Sequence, residues 1–175
     1  VASVRRIVAT YALGPDDVSL GVMPLFHVHG LVAALLASLA AGGTTVLPRP
    51  FSPGSFRRLV RAHRVTWCTA VPTLHQLVLA RDREDGRVSL VDPLGDVLRF
   101  IRAASAKLPL AAHVALEQRF GVPVLEAYGM TEAAHQMASN PLPPGRRAPG
   151  TVGRATGIDM AILGEAGDLV PAGVT

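Results

Sequence analysis

Four times along the chain a short apolar run is followed by a stretch with helical spacing, and few folds can absorb that rhythm. DVSLGVM leads to a helical stretch from His29 to Ala41 that ends at Gly42-Gly43. TTVLP leads to one from Ser55 to His63, after the Ser52-Pro53-Gly54 turn. VTWCTAV leads to Pro72 to Arg83, with proline in the first turn, and LRFIRAA leads to Leu110 to Phe120. VPVLEAYG reads as a further strand, and SVRRIVATYAL at the start has helical spacing. Strands alternating with helices of about 10–15 residues predict an α/β fold built of βαβ units, with a mostly parallel sheet covered on both faces. In such sheets ligands bind where strands end and the next loops begin. The loops after Met23, Ile101 and Glu126 are therefore the places to look for chemistry. The segment from Ser139 to Gly157 is rich in proline and glycine and reads as a long surface loop. IDMAILGEAGDLV after it reads as a strand and a turn.

At 175 residues and 49% hydrophobic content, the chain is large and apolar enough for one packed core. It starts without methionine, inside a helical pattern, and ends at VPAGVT just after a turn, so it is expected to be incomplete at both ends, a piece of a longer protein. The net charge of +4 comes almost wholly from scattered arginines, Lys107 being the single lysine. No basic run interleaved with aromatics suits a nucleic-acid partner, whereas an anionic small ligand remains open. The longest apolar stretch, Leu31 to Ala41, is shorter than the roughly 20 residues a membrane span needs and reads as a buried helix. The lone Cys68 cannot form an internal disulfide, and with no signal peptide in evidence the expected location is cytoplasmic.

Three loops carry the interesting side chains. In AYGMTEAAHQ, a strand ending near Ala127 puts Tyr128 and Gly129 in a turn and Thr131 at a helix start, where its hydroxyl stands beside unpaired N–H groups that suit an anion. Glu132 adds a hard oxygen ligand for Mg²⁺, and His135 falls on the same helical face. A buried tyrosine, a threonine cap and a first-turn acid explain the same residues equally well. In PLFHVHG, His27 and His29 are two apart on an extended loop, so only one of them faces a given site. Supporting ligands at zinc spacing are missing. In RAASAKLP, small residues after a strand let backbone approach a planar ligand, with Ser105 as the hydrogen-bonding side chain; a plain turn explains this too.

In this order PLFHVHG, RAASAKLP and VLEAYGMTE resemble three core motifs of the adenylate-forming superfamily, the acyl-CoA and aryl-CoA synthetases, over essentially the whole chain. The region AYGMTEAAHQMASNPLPPGRRAPGTVG is most similar to the oxalate-CoA ligase branch. The resemblance implies that residues 1–175 are the central part of an adenylation domain, with 139–157 as a Pro/Gly-rich loop. It implies an acid-thiol ligase using ATP, Mg²⁺ and coenzyme A: a carboxylate attacks the α-phosphate of ATP, and the thiol then displaces AMP. By the same resemblance Tyr128 stacks on adenine, with Glu126, Ala127 and Gly129 bordering the base. Thr131 bonds phosphate, and Glu132 holds the metal. Ser105 and Ala106 line the adenine and acyl sites, and His27 orients the substrate carboxylate. His135 and Ser105 are the partners implied for the second carboxylate of a small diacid such as oxalate; medium-chain or aromatic acids, or a non-catalytic nucleotide-binding role, are the alternatives. Lys107 stands where relatives often have proline, and the family's phosphate loop, ribose-binding aspartate and catalytic lysine are expected outside 1–175.

Overall fold

Residues whose side chains alternate between two apolar environments can form a strand buried on both sides, and the centre of this chain is built that way. In the computed structural model, which describes residues 1–48, 50–84, 93–171 and 173, β3 (Trp67–Ala70) and β4 (Phe100–Ala103) are buried at every position. Trp67 and Phe100 point to one face, where they pack with Ile7 and Tyr11 from the region of α1 (Ala2–Thr10) and with Ala33 and Ala37. Cys68, Ile101 and Ala103 point to the other, among apolar residues of α3 (Phe56–His63), α4 (Pro72–Glu84) and α5 (Leu110–Phe120).

Around this pair the sheet runs β2-β1-β3-β4-β5-β6-β7, with β1 at Val18–Gly21, β2 at Thr44–Val46, β5 at Val124–Met130, β6 at His135–Ser139 and β7 at Arg154–Ala155. The strands from β2 to β5 are parallel, and β6 and β7 add on antiparallel. Strand order reverses at β1, which has β2 on one side and β3 on the other. In an open α/β sheet the C-terminal ends of the strands near such a reversal are the usual place for a ligand. The mostly parallel α/β sheet read from the sequence is thus present, and the helix over Leu110–Phe120 has the boundaries its periodicity predicts.

Four local expectations need correction. The stretch from His29 opens as a π-helix over His29–Leu36 and becomes α-helical only in α2 (Ala37–Ala40). Gly30 is pressed against the carbonyls of Met23 and Pro24, where a Cβ would overlap backbone, so the entry is set by the loop it leaves. Nor is this stretch wholly buried, because Leu31, Leu36 and Leu39 are exposed. After β5 there is no α-helix at Thr131: one 3₁₀ turn, Thr131–Ala133, is followed by left-handed backbone at Ala134 and His135 (φ 51° and 92°), which turns the chain back as β6. Gly129 permits the reversal, since a side chain there would collide with the His135 carbonyl. In IDMAILGEAGDLV a single bridge between Leu163 and Leu169 closes the turn in place of a strand.

The Pro/Gly-rich stretch is largely exposed from Pro143 on, but it contains β7 and its start is anchored. Ser139 and Asn140 are buried, the Asn140 side chain donates to the Thr151 carbonyl and accepts from Ala148 N–H, and Pro143-Pro144 is cis. Of the closing VPAGVT segment, Ala172, Val174 and Thr175 lie outside the described residues. No helix among the described residues is long and apolar enough to cross a membrane.

Candidate functional site

A charged side chain in a strand buried on both faces needs a full set of partners, and Arg102 of β4 is such a residue, with 0% of its surface exposed. It points to the α1 face. Its Nε donates to the Tyr11 hydroxyl at 2.7 Å, its Nη1 to Thr69 Oγ1 at 2.8 Å, and its Nη2 to Gln136 Oε1 at 3.1 Å. Two imidazoles complete the shell: His29 Nε2 lies 3.5 Å from Nη1 and His135 Nδ1 lies 3.4 Å from Nη2. Every one of these partners is neutral or can be, and among the described residues no carboxylate pairs with Arg102.

The imidazoles bear the consequence. Burial, reinforced by the Arg102 charge and by His135 and His75, pulls the His29 pKa down to about 2. Burial and then Arg102 pull His135 down to about 3. Both are therefore neutral near pH 7. His75, whose Nε2 meets the Arg102 carbonyl at 2.9 Å, is lowered to about 4, chiefly by burial. From this cluster the contacts lead outward: His29 Nδ1 lies 3.1 Å from Ser105 Oγ, and the His29 and His135 rings are 5.1 Å apart.

Ser105 is the hinge between this polar cluster and a cleft of 380 Å³. It leaves β4 in the left-handed region (φ 74°), which turns its exposed hydroxyl away from the strand line. The cleft is lined by Ser105, Ala106, Glu126, Ala127, Tyr128 and Gly129, six of the seven positions read as nucleotide-binding; Thr131 is not part of the lining. Tyr128 is 39% exposed, so one face of its ring is open to a flat partner. Gly150, Thr151 and Val152 of the Pro/Gly-rich loop form the opposite wall. One carboxylate joins the walls: Glu126 of β5 accepts from Gly150 N–H at 2.7 Å and lies 3.2 Å from His113 Nδ1.

The remaining sequence expectations fall elsewhere. Thr131 and Glu132 lie in the exposed 3₁₀ turn, which is too short to offer a helix N-terminus, while His135 is turned inward on β6. The three do not share a helical face, because the reversal at Ala134 interrupts the period. His27 is exposed on the loop leaving β1, its ring 4.6 Å from that of Phe26. Of the two histidines of PLFHVHG, His29 is the one in contact with Ser105 and near His135. Among the described residues no group of three or more His, Cys, Asp or Glu could cage a metal. A lone exposed carboxylate such as Glu132 suits a Mg²⁺ ion that keeps water and phosphate oxygens as its other ligands.

Sequence reading passed over Arg102, Tyr11, Thr69 and Gln136, and left open which of His27 and His29 turns inward. The signal was there in FIRAA: an arginine inside a run that otherwise reads as a doubly buried strand is the anomaly to explain.

Comparison with known proteins gives this geometry a family. The model of the AMP-binding enzyme family matches residues 1–175. An oxalate–CoA ligase of Arabidopsis thaliana is 48% identical over 171 residues, 96% of this chain and 32% of that protein. A probable CoA ligase of Humulus lupulus is 48% identical over 165 residues, 93% of this chain and 30% of its own length. The ATP-bound crystal structure of MatB from Rhodopseudomonas palustris superposes with a TM-score of 0.84 at 30% identity, covering 99% of this chain and 33% of that one. The chain thus spans about a third of the length of the proteins it matches.

Proposed function

The chain belongs to the AMP-binding enzyme family, and on that premise we propose that it is the central part of the adenylation domain of an ATP-dependent acid–CoA ligase acting on a small dicarboxylic acid such as oxalate. The substrate carboxylate attacks the α-phosphate of ATP, giving an acyl-adenylate and pyrophosphate. The thiol of coenzyme A then attacks the acyl carbon and AMP leaves. This chemistry asks the protein for positioning and charge stabilisation, not for a strong nucleophile.

One observation carries the reading: Ser105 lines the nucleotide-sized cleft and also contacts the buried cluster of Arg102, His29 and His135. A base lying on the open face of Tyr128, beside Glu126, Ala127 and Gly129, would bring its phosphates toward Thr131. Glu132 would hold Mg²⁺, which supplies charge neutralisation at the phosphate oxygens. His27, exposed on the loop leaving β1, is the proposed residue that orients the reacting carboxylate, with Ser105 and Ala106 beside it. Ser105 and His135 take the second carboxylate. A buried polar cluster suits a second anionic group, whereas an alkyl or aromatic tail would strand those donors without partners. The identity to an oxalate–CoA ligase supports the same choice over medium-chain or aromatic acids.

The test is a panel of acids with the full-length enzyme, following pyrophosphate release and thioester formation. Oxalate is expected to be used best. Pyrophosphate release that needs no acid would mean hydrolysis of ATP by water, and none with any acid would leave a nucleotide-binding protein in place of a ligase. In the same enzyme His135→Ala is expected to raise the KM for oxalate by about 10- to 100-fold, the range of one lost charge-assisted hydrogen bond, with ATP binding little changed. An equal loss for oxalate and for a monocarboxylate defeats the assignment.

A further inference from the structure

An arginine can only donate, and that one fact fixes more about the buried cluster than its geometry first suggests. Arg102 Nη2 faces His135 Nδ1 at 3.4 Å, so Nδ1 must be the acceptor. In a neutral imidazole the proton then sits on Nε2, the nitrogen that does not face Arg102. The same reasoning applies to His29. Its Nε2 is met by Arg102 Nη1 at 3.5 Å and by the Thr69 hydroxyl at 2.7 Å; Thr69 Oγ1 already accepts from Nη1 and has its own proton to give. Nε2 of His29 therefore accepts, its proton is on Nδ1, and it is donated to Ser105 Oγ 3.1 Å away. With one lone pair engaged by His29, the Ser105 hydroxyl keeps its own proton free to give to something else.

The two rings thus carry opposite tautomers, and both choices leave a donor on the side away from Arg102. We propose that Arg102 is a positioning residue which holds His135 as the Nε2–H tautomer and His29 as the Nδ1–H tautomer. Together they turn Ser105 Oγ–H and His135 Nε2–H toward one anionic group, with the buried guanidinium charge behind them. That the anion is the substrate's second carboxylate rests on the function proposed above; the tautomers do not. The depressed basicity of both rings agrees with the arrangement, because a second proton on either would face Arg102 at hydrogen-bond distance. Conversely, an anion at the two donors supplies the counter-charge that the guanidinium lacks among its described neighbours.

The full-length enzyme labelled with ring-¹⁵N histidine decides it, with His29→Asn and His135→Asn used to assign the signals. At pH 7.5 the wild type is expected to show His135 protonated at Nε2 and His29 at Nδ1. Either ring in the other tautomer, or doubly protonated, overturns the proposal without any variant of Arg102 having to fold. In Arg102→Met, if its thermal unfolding stays cooperative, both rings are expected to lose their tautomer preference. The KM for oxalate is expected to rise about 10- to 100-fold while the KM for ATP moves less than about threefold. Arg102→Lys, which keeps the charge but cannot reach both rings with a planar fork, is expected to restore less than half of that loss on a logarithmic scale. Unchanged tautomers in Arg102→Met sink the inference. Tautomers as expected in an enzyme that ignores diacids leave Arg102's role intact and remove the substrate reading alone.

Discussion

His29, His75 and His135 enter the fold as neutral rings, with pKa values of about 2, about 4 and about 3 against an ordinary 6.5. An unfolded chain protonates them as pH falls through about 6.5, whereas the folded chain does not until it passes the lower values. Unfolding therefore takes up protons in that window, and stability present above about pH 6.5 is lost on acidification. The lowered carboxyls of Asp17, Asp82 and Glu117, whose ion pairs and hydrogen bonds outweigh their burial, act in the same direction but only nearer the ordinary carboxylate range. Denaturant melts of the full-length enzyme from pH 8 to pH 4.5 should show stability falling from near pH 6.5, at up to about 1.4 kcal/mol per pH unit for each ring. A flat profile down to pH 5 would mean that the rings are charged or exposed. At this scale the sequence was partly legible. Ser105 and Tyr128 stand out as polar or flat residues among small ones, but Arg102 hides in an apolar run because strand patterns are read by what repeats.

Helices and strands with ordinary periods were the legible elements, and α5 shows why: eleven residues, with Gly121 in left-handed backbone behind them to end the helix. Two of the misread elements are shaped by contacts distant in sequence or by single glycines. Gly30 can only sit where it does without a side chain, so Gly30→Ala is expected to cost about 1–3 kcal/mol, the usual penalty of overpacking. Because Gly30 adjoins His29, the same change should also shift the His29 ring signal in the labelled enzyme. A variant as stable as wild type, with an unmoved signal, would show that the π-helical entry is not set by this contact. The reversal at Ala134 was out of reach for a different reason. TEAAHQ has good helix formers, and only the pairing of β6 with β5 across Gly129 overrides them.

On the scale of the whole molecule, three helices on one face meet at an acid. Asp82 of α4, 9% exposed, receives Arg57 of α3 at 2.9 Å and Arg119 of α5 at 2.5 Å. Asp82→Asn removes the charge that two half-buried guanidinium groups share and is expected to lower stability by about 1–3 kcal/mol, read from the emission of the fully buried Trp67 during unfolding. A change under about 1 kcal/mol would mean that this carboxylate contributes little to holding the three helices together. The strand order and the antiparallel edge were not legible, since periodicity marks a strand without saying which neighbour it takes. The tie between Glu126 and Gly150 has a further meaning at this scale. A side chain from the sheet helps to set the gap to a loop that Asn140 already anchors, so it works as a calliper whose jaws are β5 and the Pro/Gly-rich turn. Glu126→Asp shortens that calliper by one methylene. Purines of different edge shape should then be discriminated less sharply, a loosening that ATP and GTP competition in the complete enzyme would register.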